Sequence, residues 1–177
     1  RYILELHQVS YMSVKAVFID RDDTIAKDVP YCNDPDKFHL FPDVPMAIRR
    51  LNDAGFLVIV ITNQSGINRG YFTEETLSEI HERMIKDASS CGGHIDDVFY
   101  CPHTPEENCE CRKPKIGLGL RAVEKYGIDV SESYMIGDHD KDIEFANRLG
   151  CKCGIKVGNG TAFSDAVDKI LSDEGSK

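Results

Sequence analysis

The turn "DRDDT" sets Asp20, Asp22 and Asp23 within four residues. Two bare carboxylates ~4 Å apart repel by about 4 kcal/mol at an effective dielectric of 20, so a fold keeps such a pair close only around a cation or a proton. Taken alone, the turn reads equally well as a solvated acidic surface. A second acidic turn, "GDHDKD", carries Asp138 and Asp142. If both turns open on the same edge of a sheet, Asp20, Asp22 and Asp138 can share one hard divalent cation, most naturally Mg²⁺. A different chemistry is written in "CPHTPEENCECRKPK". Its spacing is Cys101-x-His103-x₅-Cys109-x-Cys111. Four nitrogen and sulfur ligands with no carboxylate favour tetrahedral Zn²⁺, and a filled set of four implies a structural site. The competing reading, buried cysteines beside an unrelated histidine, leaves the spacing unexplained. The intervening "TPEEN" has no core of its own and would depend on the metal for order. Arg112 and Lys113 follow at once. A loop tied by zinc would hold them at a fixed angle over an anion, where a misplacement of ~1 Å can cost about 100-fold in rate.

The elements that position these groups alternate. "VKAVFID" and "FLVIVIT" are short, apolar and β-branched, without polar alternation, so both faces of each strand are expected to be covered. "DDVFYC", "SYMIGD" and "CGIKV" read as further strands. Asp43 is placed to cap a helix through "VPMAIRRLNDAG", ended by Gly55, and Thr73 to cap "EETLSEIHERMIKDASSCGG", with Leu77, Ile80, Met84, Ile85 and Ala88 on one face. "GLGLRAVEKYG" and "DKDIEFANRLG" complete the helices. Strand alternating with helix predicts an α/β fold: a three-layer, Rossmann-like open parallel sheet with helices on both faces. Ligands then sit beyond the carboxyl ends of the strands. Thr62 and Asn63 end the second strand there. A hydroxyl, an amide and free backbone N–H groups suit phosphate oxygens, and Lys113 supplies positive charge.

At 177 residues the chain reads as one domain, spanning 14–171, with residues 1–13 as an N-terminal extension or leader and 172–177 as a frayed tail. A net charge of −9 argues against nucleic acid as partner, and no apolar run reaches the ~20 residues of a membrane span. Seven cysteines without an export signal predict reduced thiols and a cytoplasmic protein. Cys151 and Cys153 are expected to be small buried apolar residues, while His81 has no assigned role. No residue pattern sets the oligomeric state, and a monomer is the default.

"DRDDT", "VIVIT", Lys113 and "GDHDKD" occur in this order and cover the chain from residue 14. Together they resemble the four motifs of the haloacid dehalogenase superfamily of phosphatases. The resemblance implies a mechanism. Asp20 attacks phosphorus to form an aspartyl-phosphate, and Asp22 protonates the leaving alkoxide and then activates water. Mg²⁺ bridges Asp20, the Asp22 backbone carbonyl, Asp138 and the phosphate, while Thr62, Asn63 and Lys113 hold the equatorial oxygens. Asp142 is expected to anchor its turn. The layout "CPH…CxCRKP" resembles a branch without a separate cap domain, which holds the D-glycero-D-manno-heptose 1,7-bisphosphate 7-phosphatases and the histidinol-phosphate phosphatases. "NQSGINRGYFTEE" is similar to the heptose enzymes. That implies a small phosphorylated metabolite, a sugar bisphosphate, as substrate. Histidinol phosphate is the first alternative, and a non-catalytic zinc-loop protein on the same fold is the second. Arg69 and Arg112 would meet a second charge on the substrate; Arg69 also reads as a plain helix-entry residue. His139 stands where the family often has lysine and is either a hydrogen-bond donor to substrate or an ordinary exposed histidine. Asp23 replaces the family's usual glycine. It is expected to carry strain if φ is positive there, and to point away from the site.

Overall fold

The computed structural model describes residues 12–176. Five strands, β1 (Lys15–Ile19), β2 (Phe56–Asn63), β3 (Asp97–Cys101), β4 (Tyr134–Gly137) and β5 (Cys153–Lys156), form one sheet in the order β3-β2-β1-β4-β5. Every pairing is parallel. Five helices pack on it: α1 (Val44–Asp53), α2 (Glu74–Ala88), α3 (Gly117–Tyr126), α4 (Asp140–Leu149) and α5 (Phe163–Glu174). Strand side chains alternate between faces, and the core divides accordingly. Val17, Ile19, Val58, Val60 and Ile136 pack with α1, α2 and α5. Ala16, Phe18, Ile59, Ile61 and Met135 pack with α3 and α4. This is the predicted three-layer sheet.

The chain moves outward from β1 through β2 to β3, then crosses to β4 on the other side of β1. Strand order therefore reverses between β1 and β4, the place where open α/β sheets leave a crevice at their carboxyl ends. Asp20 follows β1 and Asp138 follows β4. The Asp20 N–H donates to the Ile136 carbonyl at 3.0 Å, which extends the ladder up to the crevice.

Several details differ from the sequence reading. Thr73 caps α2 as expected, accepting from the Thr76 N–H at 3.1 Å. Asp43 occupies the N-cap position of α1 but makes no capping bond there. Its carboxylate accepts instead from the Ser164 N–H at 2.9 Å, in the first turn of α5. Helix α5 is absent from the sequence reading, and the tail expected to fray is helical through Glu174. Glu174 pairs with Lys15 at 2.8 Å and accepts from the Tyr134 hydroxyl at 3.1 Å. On α2, Ile85 is 39% exposed, and His81 takes the inward position between Ile80 and Met84. Cys153 is exposed rather than buried, because β5 is an edge strand, and Cys151 is half-buried. The expected leader over residues 1–13 lies, for residues 1–11, outside the described residues, as does residue 177 of the tail.

Candidate active site

The crevice gathers charge of one sign. Asp20, Asp138 and Asp142 each bring a carboxylate oxygen within 4.8 Å of the others. The buried Lys113 ammonium lies 2.6 Å from Asp20 Oδ1 and 2.8 Å from Asp142 Oδ1. Three carboxylates against one ammonium leave two negative charges. Burial, reinforced by neighbouring Asp20, pushes Asp138 up to about 7. Burial also opposes the charge on Asp20, but the Lys113 ammonium overcomes it and holds Asp20 below the ordinary carboxylate range. All the donors are oxygen, and with the three carboxylates ionised the uncompensated charge is −2, a crowding that a cation relieves, so the residues fit a hard divalent cation.

Each carboxylate is oriented by neighbours. The Thr24 hydroxyl donates to Asp138 Oδ1 at 3.2 Å. Asp142 accepts from the His139 N–H at 3.1 Å, so it anchors the turn as expected. Its approach requires Gly137: a Cβ there would meet the Asp142 Cβ at 2.3 Å. The Asp22 carboxylate is not in the cluster. Arg21 holds it with two bonds, at 2.9 and 3.1 Å, and Gln64 with a third at 3.0 Å. The Gln64 amide also donates to the Thr62 hydroxyl oxygen at 2.8 Å, so one side chain sets both groups.

Lys113 is fixed from two sides. Its backbone N–H donates to Asn63 Oδ1 at 3.0 Å, and its carbonyl accepts from Asn63 Nδ2 at 3.2 Å. The Asn63 amide, expected to bind phosphate oxygens, is thus engaged at both ends with the lysine's backbone. On the other side stands the cysteine cluster. Cys101 ends β3, in register with Asn63. Its sulfur lies 3.2 Å from Cys111, 3.5 Å from Cys109 and 3.4 Å from His103 Nδ1. His103 Nδ1 to Cys111 is 3.2 Å, and Cys111 to Cys109 is 3.5 Å. A tetrahedron with such edges has its centre about 2 Å from each vertex, close to zinc–ligand bond lengths. Burial raises the Cys109 thiol, but hydrogen bonds from the Cys111 N–H and thiol and from the Arg112 N–H bring it down to about 7, whereas burial pushes the Cys101 and Cys111 thiols up, so a metal would have to displace their protons.

A cleft of ≈ 450 Å³ opens over Asp20, Asp22, Thr62, Asn63 and Asp138, with His139 at its edge. His139 is exposed and caps α4 through its Nδ1, which accepts from the Lys141 N–H at 3.3 Å. Arg69 and Arg112, expected at the substrate, are not in the cleft lining. Arg69 Nε bonds the Ser65 hydroxyl at 3.3 Å, Arg112 bonds the His103 carbonyl at 3.2 Å, and both cations act on exposed Glu106. Asp23 has the positive φ, +57, at which strain was expected, and its carboxylate accepts from the Asp28 N–H at 2.9 Å. It does not leave the site: Asp23 and Asp28 both line the cleft. Arg21, Gln64 and Lys141 also line the cleft, and sequence reasoning had missed all three. Arg21 carried a signal: a cation inside an acidic turn finds partners on both sides. Its far side meets His81, whose Nε2 accepts from Arg21 at 3.2 Å; burial, with the Arg21 charge, pushes His81 down to about 3.

Comparisons with known proteins agree with this geometry. Residues 110–173 match the family model described as HAD-hydrolase-like. A Thermoplasma volcanium protein named probable D-glycero-D-manno-heptose-1,7-bisphosphate 7-phosphatase is 44% identical over 137 residues, spanning 77% of this chain and 94% of its own length. A Haemophilus ducreyi protein named D-glycero-beta-D-manno-heptose-1,7-bisphosphate 7-phosphatase is 38% identical over 165 residues, spanning 89% of this chain and 91% of its own. The crystal structure of D,D-heptose 1,7-bisphosphate phosphatase from B. bronchiseptica, complexed with magnesium and phosphate, superposes with a TM-score of 0.79 at 30% identity. That match covers 90% of this chain and 99% of the other.

Proposed function

Since the chain belongs to the haloacid dehalogenase-like phosphatases, we propose that it removes the C7 phosphate of D-glycero-D-manno-heptose 1,7-bisphosphate. The observation that carries the substrate is the 44% identity to a relative of that name along 94% of the relative's length. An Asp20 oxygen bonds to phosphorus as the bond from phosphorus to the sugar oxygen breaks, and Asp22 gives that oxygen its proton. Water then attacks the aspartyl-phosphate and passes a proton to Asp22, and Asp20 departs as carboxylate. Asp20, Asp138 and the Asp22 backbone carbonyl would hold Mg²⁺, which would supply charge neutralisation at the phosphate. The Thr62 hydroxyl lines the cleft, Lys113 lies behind that lining and acts on the site through its bond to Asp20, and Gln64 and Arg21 keep Asp22 aimed. The test is kcat/KM for the heptose bisphosphate against histidinol phosphate. A ratio above about 100 in favour of the heptose is expected, a modest share of the roughly 10⁴–10⁵-fold discrimination that polar groups left unpaired can produce. A tenfold preference for histidinol phosphate would replace the reading.

Zinc, in this reading, is a structural partner of Cys101, His103, Cys109 and Cys111. Protein purified without chelator is expected to hold about one zinc per chain. Cys109→Ser is expected to lose the zinc and about 100-fold in kcat/KM, through displacement of Lys113, with Mg²⁺ affinity little changed. Full activity in a protein shown by elemental analysis to lack zinc would refute the role.

A further inference from the structure

Tyr31 stands at the mouth of the cleft in a backbone conformation that its side chain disfavours. The Cys32 N–H donates to the Val29 carbonyl at 2.9 Å and closes a turn over Val29, Pro30, Tyr31 and Cys32. Pro30 occupies the second position, which suits proline, and Tyr31 the third, with φ +48. Turns of this kind place glycine or asparagine at the third position, because a bulky L residue is strained at positive φ. The ring is not accommodated by burial either. Tyr31 is 49% exposed and lines the cleft that contains Asp20 and Asp22.

A second loop supports the ring from behind. Tyr71, 52% exposed, meets Tyr31 edge-on, with centroids 4.5 Å apart and planes at 65°. Its loop is rigid. Tyr71 N–H bonds the Gly66 carbonyl at 2.9 Å and Arg69 N–H the Ser65 carbonyl at 3.0 Å. The Phe72 ring lies so close to Gly66 that a Cβ there would meet it at 2.2 Å. Two loops from different parts of the chain therefore converge to hold one aromatic face at the cleft. Strain that the surrounding structure maintains at a site mouth points to use.

We propose that the Tyr31 ring, backed by Tyr71, binds the C–H face of the substrate's carbon chain and so selects a phosphorylated sugar over smaller phosphate esters. This rests on the sugar-phosphate reading above. Tyr31 is the residue in contact with substrate, and Tyr71 is a positioning residue that acts through it. An aromatic ring presents a large apolar face while keeping its polar tip in water.

The turn supplies its own control. Tyr31→Gly places the favoured residue at positive φ, so the variant is expected to fold with a melting temperature no lower than that of the wild type. KM for heptose 1,7-bisphosphate is expected to rise about tenfold with kcat nearly unchanged, the signature of a lost uniform contact. Turnover of acetyl phosphate, whose two-carbon acyl group offers no sugar chain to the ring, stays at the wild-type level. Tyr31→Phe keeps the ring and stays within about twofold of wild type. Tyr71→Ser raises KM less, and adds nothing in the Tyr31→Gly background. The assignment is overturned if Tyr31→Gly keeps the wild-type KM for the preferred substrate, if it loses acetyl phosphate turnover equally, or if Tyr31→Phe is as impaired as Tyr31→Gly. A wild-type preference for histidinol phosphate overturns the substrate reading instead, and the same variants then judge Tyr31 against that substrate.

Discussion

Asp20→Asn is expected to yield a folded protein without measurable turnover. An amide in place of the carboxylate is too poor a nucleophile to form the aspartyl-phosphate. Loss of a nucleophile typically costs on the order of 10⁴- to 10⁶-fold in kcat. The fold is expected to survive because Lys113 keeps its second partner, Asp142, at 2.8 Å. The Asn63 amide still holds the lysine's backbone at both ends. Substrate binding is also expected to survive, since the Thr62 hydroxyl and the Lys113 ammonium are unchanged. The measurements are phosphate release with saturating Mg²⁺, alongside circular dichroism and a melting curve. Turnover within about tenfold of wild type in purified variant protein would remove Asp20 from the nucleophile's role.

The parts of this arrangement that could be read from the sequence share one property: their signal is local. Asp20 and Asp138 directly follow short apolar strands, and a parallel sheet brings such ends to one edge. The cluster of Cys101, His103, Cys109 and Cys111 is complete within eleven residues, and its ligands meet as the spacing predicts. What was missed depends on partners far along the chain. Helix α5 has an apolar stripe in Phe163, Ala166, Val167 and Ile170, but its N-cap is Ala162 and gives no start signal. The carboxylate that serves its first turn is Asp43, 121 residues earlier. The same contact explains why Asp43, a good cap by residue type, leaves α1 without a side-chain cap. Asn63 looked like a phosphate ligand because it ends a strand at the crevice. Its register with Cys101, and hence its grip on the Lys113 loop, is a property of the β2–β3 pairing. Arg112 emerges from the metal loop as expected, but the His103 carbonyl one turn of that loop away captures its guanidinium.

Lys113→Met is expected to damage stability and catalysis together, and a second substitution separates the two. The ammonium is buried between Asp20 and Asp142, and Asp142 is itself without solvent contact. Removing one member of a buried ionic set leaves uncompensated charge and typically costs about 3–5 kcal/mol. For a chain of this size each kcal/mol lowers the melting temperature by roughly 2–4 °C, so a fall of roughly 6–20 °C is expected. Activity should be lost as well, because Asp20 is no longer held in its ionised form. Burial then raises Asp20 against only the Asp138 hydrogen bond and the Lys141 charge, without the Lys113 charge that is its main counterweight now. In Lys113→Met/Asp142→Asn the excess buried charge is gone, and the His139 N–H can still find an acceptor in the new amide. Much of the lost stability should return, while kcat/KM remains at the level of the single variant. Recovery of activity along with stability would mean that Lys113 serves the fold alone. Failure of the double variant to recover any stability would mean that the lysine's packing, rather than its charge, holds the crevice together.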